Sequence, residues 1–307
     1  MRCIFIYNPN SGKGKIKKKL DYLKEELNKM FDEVVIHSTV SQADTIETAK
    51  KACSSFDTII FSGGDGTFND IAYGVSTQEK RPILGYIPSG TVNDIARNLK
   101  IPKNIKKALK VIKEGNIVNH DIGTINDQYF VYVAAIGTFT SVSYDTKQKN
   151  KKVLGRLAYV LNGLNDVINP SLFKVKLTTE DGSKYEIESP LVLVVNSISV
   201  GGIPFNKSGH LNDGKFDIII VKKHIGKGLI AIFNTFILGV KRSKITKYYE
   251  IIRSSKFEFE IDDNITWALD GQRGMSGPVK IENKHNHLQI FVPFKYNKPR
   301  SKYLKNK

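Results

Sequence analysis

Three predicted strands in the first part of the chain each run into a polar, glycine-containing turn and then into a predicted helix. The three segments are Ile6–Lys15, Ile60–Asp70 and Gly85–Asp94. Short apolar runs that alternate with amphipathic stretches are typical of a parallel sheet covered by helices. Because the carboxyl ends of the strands in such a sheet share one edge, we expect the three turns to lie together.

The elements predicted before residue 116 form one doubly wound, parallel-sheet α/β domain over residues 1–115. Its strands are Cys3–Tyr7, Val34–His37, Thr58–Ser62 and Ile83–Ile87. Its helices are Ile16–Met30, Ala43–Ala52, Phe68–Val75, Val92–Asn98 and Ile105–Lys113. A chain of 307 residues is about twice the length of a usual domain, so a second domain is expected to follow.

From residue 116 the pattern changes to short strands between turn residues, which predicts an antiparallel, β-sandwich-like domain over residues 116–294. A hairpin at Asn126-Asp127 joins Ile117–Ile125 to Tyr129–Ala135. The other predicted strands are Phe173–Thr179, Lys184–Glu188, Leu191–Asn196, Phe216–Val221, Lys256–Ile261, Val279–Ile281 and Leu288–Val292. Helices are predicted near Arg156–Val167 and Gly228–Val240. Residues 295–307 are rich in basic residues and are expected to form a surface segment, which could pack back on the first domain.

The charge balance restricts the partners. The chain carries 47 Lys and Arg against 30 Asp and Glu, a formal net charge of +17. Such a chain favours anionic partners, namely nucleotides, nucleic acids or acidic membrane surfaces. We expect no nucleic acid, because neither an aromatic RNP-type motif nor a zinc finger is present. Two cysteines give no disulfide framework, and no apolar stretch reaches the ~18–20 residues that span a bilayer, which favours a cytoplasmic protein.

The glycine-rich turns have the composition of a polyphosphate site. Glycines let the backbone approach an anion, and helix N-termini present unpaired N–H groups. Gly63–Thr67 places three glycines around an aspartate, more than a tight turn capped by Asp65 or Thr67 requires. Carboxylates at Asp65, Asp70 and Asp94 would repel bare phosphates, so they indicate a nucleotide chelated by Mg²⁺.

Three motifs make the chain resemble the diacylglycerol kinase catalytic-domain superfamily, to which bacterial lipid kinases and sphingosine kinases belong. They are Asn8-Pro9 with Ser11-Gly12, Gly63–Thr67, and Pro88–Asp94 with Arg97, followed by matches at His120–Gly123, Asn212–Gly214 and Leu269–Gly271. The second motif is shared with NAD kinases and phosphofructokinases, whereas the third favours lipid kinases. The resemblance implies a two-domain kinase with ATP in the cleft and a lipid alcohol held by the second domain.

The same resemblance implies which residues contact the nucleotide. Together with Lys15, the predicted contacts are Asn8, Ser11, Thr39, Gly63, Gly64, Asp65, Gly66, Thr67, Asn69, Asp70, Gly90, Thr91, Asn93 and Asp94. The ligands implied for the catalytic Mg²⁺ or its waters are Asp65, Asp94 and Asp121. Lys15 belongs to a lysine-rich stretch that a solvated helix face would explain; it could also reach the phosphates, and its neighbours could rest on anionic lipid.

A further cation is implied in the loop His210–Lys215. There the resemblance gives Asp213 as a carboxylate ligand and the backbone carbonyls of His210 and Lys215 as the others. From the residues alone, Asn212-Asp213-Gly214 is better explained as an ordinary hairpin turn. Both interpretations stay open at the level of the sequence.

Asp270-Gly271-Gln272 stands where the family has Asp-Gly-Glu, whose two acids are assigned to activating the attacking hydroxyl. The Gln272 amide cannot accept that proton, so the acidic pair is incomplete. Phosphoryl transfer depends mainly on positioning and on metal-assisted charge stabilisation. We therefore expect Asp270 to be the proton acceptor, with Gln272 beside it in the catalytic pair.

The expected function is an ATP- and Mg²⁺-dependent lipid kinase that phosphorylates a lipid hydroxyl, with diacylglycerol as the family's common substrate. Basic surfaces would hold it peripherally at the inner face of the membrane, and a homodimer is possible. Two alternatives stay open. One is an NAD kinase-like enzyme of the same superfold, and the other is a non-catalytic nucleotide- and lipid-binding regulator, suggested by Gln272.

Overall fold

The computed structural model describes residues 1–137, 172–198, 206, 209–222 and 249–296. The helices predicted at Arg156–Val167 and Gly228–Val240 lie outside these ranges. The chain divides into two compact units: unit 1 contains Met1–His120 and the chain from His287 onward, and unit 2 contains Asp121–Asn286. No helix in the described ranges combines the length and the apolarity needed to cross a membrane.

Unit 1 is a parallel sheet covered by helices, which confirms the predicted fold class. Its strands are β1 (Arg2–Tyr7), β2 (Glu33–Ser38), β3 (Thr58–Gly63) and β4 (Ile83–Pro88). They lie in the order β2-β1-β3-β4, all parallel. Every residue of β3 is buried, which explains why its sequence is apolar without alternation.

The helices of unit 1 begin at side-chain caps where the sequence provides them. They are α1 (Leu20–Asn28), α2 (Gln42–Ser55), α3 (Asp65–Ser76), α4 (Asp94–Asn98) and α5 (Ile105–Glu114). The Ser41 hydroxyl accepts a hydrogen bond from Asp44 N before α2, and Asn104 caps α5 through Lys107 N. Gly115 ends α5 with φ of 69°, in the left-handed region that favours glycine.

The predicted helix Ile16–Met30 begins later than expected. Two 3₁₀ turns, Ser11–Gly14 and Lys17–Lys19, precede α1. No side chain caps these turns, and successive lysines at the positive end of a helix repel one another and the helix dipole. The lysine-rich stretch is therefore too unfavourable to extend α1 towards its N-terminus.

Two further helices of unit 1 have different first residues from those predicted. α3 begins at Asp65 instead of Phe68, because the Gly64 carbonyl already accepts a helical hydrogen bond from Phe68 N at 3.0 Å. α4 begins at Asp94 instead of Val92, because Asn93 has φ of 56° and breaks the helical conformation.

Unit 2 consists of antiparallel sheets, as predicted. Its strands are β5 (Ile117–Ile125, which begins in unit 1), β6 (Gln128–Phe130), β7 (Val133–Gly137), β8 (Phe173–Thr179), β9 (Lys184–Ser189), β10 (Leu191–Val195), β11 (Phe216–Val221), β12 (Tyr249–Ser254), β13 (Lys256–Glu260), β14 (Thr266–Leu269), β15 (Gln272–Ser276) and β16 (Val279–Phe291, which ends in unit 1). One sheet has the order β16-β13-β8-β9, and β5 pairs with β6 and β16; the other has the order β12-β11-β10-β7-β14-β15. Val175 and Phe257 of the first sheet share one core with Phe216 and Trp267 of the second.

Several strands of unit 2 differ from the prediction. The segment Tyr129–Ala135 is two strands in different sheets, because the N–H groups between them turn towards a side chain described below. Val279–Ile281 and Leu288–Val292 belong largely to one strand, β16, whose polar middle does not look like a strand in the sequence. β12, β14 and β15 were not predicted.

The end of the described chain belongs to unit 1 and contacts Lys100, which follows α4. Residues Phe294–Tyr296 form a 3₁₀ turn. Lys100 Nζ donates to the carbonyl oxygens of Lys295 and Tyr296 at 2.9 and 3.3 Å. Its ammonium group lies 5.7 Å from the centre of the Tyr296 ring, a distance at which a cation interacts with an aromatic face.

Candidate functional site

The three predicted turns meet at the point where the winding of the sheet reverses. From β1 the chain moves to β2 on one side, and from β3 it moves to β4 on the other. Asn8 N donates to Ser62 O at 3.2 Å, and Ser89 N donates to Gly63 O at 2.8 Å. The hydroxyls of Ser11 and Ser89 lie 2.9 Å apart. The expected convergence is confirmed, at the edge where open α/β sheets bind ligands.

Two of these turns touch through their glycines. A Cβ on Gly90 would lie 2.4 Å from Gly64 Cα, and a Cβ on Gly63 would lie 2.2 Å from Thr67 Cβ. Gly66 is different, because a Cβ there would meet nothing within 4 Å. It lies in the first turn of α3, where the leading N–H groups have no intrahelical acceptor. Backbone donors beside an open surface suit an anion.

Asn93 shapes the turn after β4 from the inside. It is fully buried and has left-handed backbone geometry. Its Oδ1 accepts from Gly90 N at 3.0 Å and from the Tyr86 hydroxyl at 3.2 Å, while its Nδ2 donates to Gly90 O at 2.6 Å. Burial raises the pKa of Tyr86 well above its usual range, so this hydroxyl stays a donor. Asn93 therefore acts on the predicted site through Gly90.

Asp65 and Asp94 lie at the starts of α3 and α4. Asp65 Oδ1 accepts from Ile95 N at 3.1 Å, and Asp94 Oδ1 lies 3.3 Å from Arg97 Nη1. Mg²⁺ is usually held in proteins by one or two carboxylates together with substrate phosphates. Both aspartates are carboxylate donors of that kind and border the turns that would face the phosphates, and Asp94 also faces the guanidinium of Arg97.

The next turn of α3 carries two polar side chains with unusual surroundings. Asn69 Oδ1 is buried, and no donor within the described ranges reaches it. Leaving such an oxygen unpaired costs about 1–3 kcal/mol, which a ligand that donates a hydrogen bond would recover. Asp70 accepts from Gln42 Nε2 at 2.7 Å, and burial raises the pKa of the Asp70 carboxyl to about 6.

The remaining predicted nucleotide contacts lie at the same edge or near it. Thr39 is buried after β2, and its backbone N donates to Tyr7 O at 2.9 Å. Thr91 O accepts from Lys103 Nζ at 3.2 Å. Lys15 is exposed, between the two 3₁₀ turns that precede α1.

Three further residues of this edge were not predicted. The Ser62 hydroxyl donates a hydrogen bond to Ile87 O at 2.9 Å, and its Oγ lies 3.1 Å from the Ser89 hydroxyl. Ser89 stands inside the Pro88–Asp94 motif, so the sequence did contain a signal for it. The sequence carried no signal for Gln42, because its role depends on the tertiary contact with Asp70.

In unit 2, Asp270 occupies the turn between β14 and β15 with φ of 51°. Its Oδ1 accepts from Tyr132 N and Val133 N at 3.0 and 2.9 Å, and its Oδ2 accepts from Val131 N at 2.6 Å. The Tyr132 hydroxyl returns a hydrogen bond to Asp270 O at 3.1 Å. Three backbone N–H groups donate to this carboxylate and fix its orientation. Gln272 is exposed and pairs with Leu269 across the hairpin.

Asp121 organises another part of unit 2. Its side chain is fully buried, with Oδ1 accepting from Asn286 N at 2.8 Å and Oδ2 accepting from Gly214 N at 2.7 Å. His285 Nδ1 lies 2.9 Å from Oδ1. Asp121 N also donates to Leu211 O at 2.8 Å, so this aspartate holds the predicted cation loop. It belongs to unit 2, whereas Asp65 and Asp94 belong to unit 1.

In the loop His210–Lys215, the carboxylate predicted to bind a cation already has partners within the chain. The Asp213 carboxylate forms an ion pair with the guanidinium of Arg253, and its Oδ1 accepts from Lys215 N at 3.3 Å. The carboxylate that should bind the cation thus already faces a positive charge. Over the ranges that the structure describes, no three His, Cys, Asp or Glu side chains are grouped closely enough to hold a metal.

Comparison with known families also divides the chain into two parts, close to the boundary between unit 1 and unit 2 at residue 120. Residues 2–125 match the diacylglycerol kinase catalytic domain, and residues 133–292 match the YegS C-terminal NAD kinase beta sandwich-like domain. A diacylglycerol kinase of Bacillus subtilis (strain 168) is 35% identical over 299 residues, which cover 95% of this chain and 96% of that protein. One from Staphylococcus aureus (strain bovine RF122 / ET3-1) is 34% identical, with 95% and 92% covered.

Solved structures agree with these relatives. The crystal structure of a diacylglycerol kinase from Bacillus anthracis str. Sterne superposes with a TM-score of 0.78 at 26% identity, covering 96% of this chain and 98% of that one. Yeast NADH kinase complexed with NADH gives a TM-score of 0.53 at 12% identity, covering 97% and 84%. The second likeness shows a shared fold only, so it supports the NAD kinase alternative no further than the fold.

Proposed function

The chain belongs to the diacylglycerol kinase catalytic-domain family, and we propose that it transfers the γ-phosphate of ATP to the free hydroxyl of diacylglycerol. The family relationship supports a lipid kinase along almost the whole chain. The observation that carries the proposal is the meeting of three glycine turns at the switch point of unit 1, beside the open N-terminus of α3. Triphosphates bind well where backbone N–H groups converge.

In this proposal unit 1 binds the nucleotide. The phosphates lie against Gly64, Gly66 and Thr67, while Asn8 and Ser11 border them from the turn after β1. Asn69 Oδ1 accepts a hydrogen bond from the nucleotide or from a water bound with it. Asp65 and Asp94 would hold Mg²⁺ directly or through water, and the cation would neutralise part of the phosphate charge.

Unit 2 supplies the group that acts on the lipid hydroxyl, and we assign that role to Asp270. Three backbone N–H groups donate to its carboxylate and fix it in one orientation, which suits a group that must receive a hydroxyl proton. A fixed orientation matters here, because phosphoryl transfer through a loose transition state depends more on positioning than on early deprotonation.

The test is a phosphorylation assay with γ-labelled ATP and Mg²⁺ on two candidate acceptors, diacylglycerol in phospholipid vesicles and NAD⁺. We expect labelled phosphatidic acid and ADP, with no label on NAD⁺. A labelled dinucleotide without labelled lipid would replace the proposal by the NAD kinase alternative. Binding of ATP without turnover on either acceptor would favour the regulator.

Removal of the Asn69 side chain tests the nucleotide site. In Asn69→Ala we expect ATP to bind about tenfold more weakly, the loss of roughly one hydrogen bond. The free energy of unfolding should stay within about 1 kcal/mol, because no donor in the described ranges reaches the deleted oxygen and alanine favours the helix. Titration calorimetry and urea unfolding measure the two quantities. Asn28→Ala, at the exposed end of α1, is the control, and equal ATP affinity in both variants would contradict the assignment.

Gln272 is the observation that favours the regulator as a second candidate, since its amide replaces the acid of the family motif. Gln272→Glu restores an acceptor on an exposed residue of β15, where one added charge costs the fold little. We expect kcat with diacylglycerol to rise about tenfold, as general-base assistance increases. Arg273→Gln, also exposed on β15, is the control for a change of charge. If neither the native chain nor Gln272→Glu turns over any lipid, the regulator becomes the better description.

We further propose that the enzyme works as a peripheral protein on the inner face of an anionic membrane, where its substrate resides. The net charge of +17 supports an electrostatic attraction that salt screens. Sedimentation with vesicles rich in phosphatidylglycerol should decrease as salt is added and should be weak with neutral vesicles. Equal binding to both vesicle types would remove the electrostatic basis. A homodimer stays part of the proposal, with light scattering as its test.

A further inference from the structure

Arg253 bridges two carboxylates of unit 2. It stands directly opposite Asp217 in the antiparallel pair β12–β11, and its Nε lies 3.5 Å from Asp217 Oδ1. Its Nη2 also pairs with Asp213 Oδ2 in the loop that precedes β11. One guanidinium therefore joins a strand to the loop for which a bound cation was predicted.

The buried partner explains why a positive charge is needed at this position. Asp217 is only 2% exposed, and its Oδ2 accepts from Asn206 Nδ2 at 2.8 Å. A buried carboxylate is costly unless a counter-charge and hydrogen bonds compensate for the lost water. The planar guanidinium offers several donors in fixed directions, so it can serve both carboxylates at once.

Further hydrogen bonds hold the loop His210–Lys215 beside the ion pair of Arg253 and Asp213. Asp213 Oδ1 accepts from Lys215 N at 3.3 Å, Gly214 adopts the left-handed conformation with φ of 71°, and Gly214 N donates to Asp121. Both oxygens of Asp213 thus already accept from donors of the chain. A divalent cation at Asp213 would have to displace the guanidinium or sit beside it against direct repulsion.

We infer that the guanidinium of Arg253 takes the place of a divalent cation at the loop His210–Lys215. Unit 2 then keeps this loop folded without bound metal. The inference concerns the stability of unit 2 and goes beyond the proposed activity, so it stands or falls independently of any assay with lipid. It also separates two roles of Mg²⁺, since the nucleotide would still require the cation in unit 1.

The first experiment uses the native chain without nucleotide. Thermal unfolding is followed by the fluorescence of Trp267, the single tryptophan, which is fully buried in unit 2. The midpoint in EDTA and in millimolar Mg²⁺ or Ca²⁺ should agree within about 1 °C. A metal-dependent rise that disappears in Asp213→Asn would overturn the inference. A rise that persists in Asp213→Asn comes from another site and leaves the loop free of metal, as inferred.

The second experiment removes the positive charge that Arg253 provides to Asp213 and Asp217. Arg253→Met removes the charge but keeps an unbranched apolar side chain, so the midpoint should fall in EDTA. Millimolar Mg²⁺ or Ca²⁺ should then raise the midpoint again by about 5 °C, because a cation that binds only the folded state stabilises that state. Metal analysis after gel filtration should find bound cation in this variant and none at the loop of the native chain.

The matched control removes another ion pair between the same strands. Lys222 and Glu250 lie on β11–β12 with 3.6 Å between Nζ and Oε2, and both are partly exposed. Lys222→Met should show no response to metal, because exposed pairs contribute little. If Arg253→Met does not fold, Arg253→Lys should fold and stay insensitive to metal. A folded Arg253→Met with an unchanged midpoint and no metal response would overturn the inference.

Discussion

Replacing Gly90 by alanine is expected to reduce kcat/KM for ATP by at least about 100-fold, because a displacement of about 1 Å in a binding turn has effects of that size. The added Cβ would lie 2.4 Å from Gly64 Cα and 2.7 Å from Asn93 Oδ1, so the turns after β3 and β4 must separate. The free energy of unfolding should fall by about 1–3 kcal/mol from overpacking. Steady-state kinetics and urea unfolding measure the two effects.

Gly66→Ala is the control for the stability effect only, since its Cβ would meet nothing of the protein within 4 Å, whereas ATP binding should weaken if the phosphates lie against Gly66 as proposed. Alanine in the first turn of α3 should raise stability by up to about 1 kcal/mol. If Gly66→Ala is stable but binds ATP poorly, a ligand passes over its Cα. A Gly90→Ala variant with native stability and native ATP kinetics would contradict the close approach of the two turns.

Asp270→Asn is expected to lower kcat with diacylglycerol by at least about 100-fold, the scale associated with a positioned acid or base. An amide has one oxygen to accept hydrogen bonds, so its NH₂ group must face at least one of the N–H donors of Val131, Tyr132 and Val133. Unfolding free energy should fall by about 1–3 kcal/mol as that donor loses its partner. Single-turnover measurements on phosphatidic acid formation give the chemical effect.

Asp181→Asn is the matched control, because it makes the same exchange in another turn of unit 2. Asp181 Oδ1 accepts from the Thr179 hydroxyl and from Ser183 N at the exposed tip of the β8–β9 hairpin. We expect kcat within about twofold of the native value and a loss of stability below about 1 kcal/mol. If Asp270→Asn keeps its unit folded, as judged by Trp267 fluorescence, and retains most of its activity, Asp270 is not the proton acceptor.

The sequence predicts unit 1 well, because its inner strands β1, β3 and β4 are largely buried and read as continuous apolar runs. β3, where every residue is buried, is the clearest case. Errors concentrate where electrostatics or backbone conformation overrules the apolar pattern. The lysines before α1 delay the helix, and the left-handed Asn93 shortens α4. β16 was divided in two because its middle, Glu282–His287, is polar.

The candidate site could likewise be predicted only where local motifs determine it. Local motifs located the turns Gly63–Thr67 and Pro88–Asp94, since glycine spacing carries their geometry. The partners of Asp270 could not be predicted, because they lie at Val131–Val133, far along the chain, and depend on how β7 pairs with β14. The pairing of Arg253 with Asp213 depends likewise on the register of β11 and β12.

Unit 1 is assembled from the two ends of the chain, and this has a consequence for biosynthesis. Ile290 of β16 pairs with Leu84 of β4, and Val292 and Asn116 exchange hydrogen bonds of 2.8 and 3.1 Å. A ribosome releases these late residues only after translating all of unit 2. Until then the β4 side of the nascent sheet presents unpaired backbone groups, a template for aggregation. Messages truncated shortly before codon 287 should therefore yield insoluble product instead of an ATP-binding fragment.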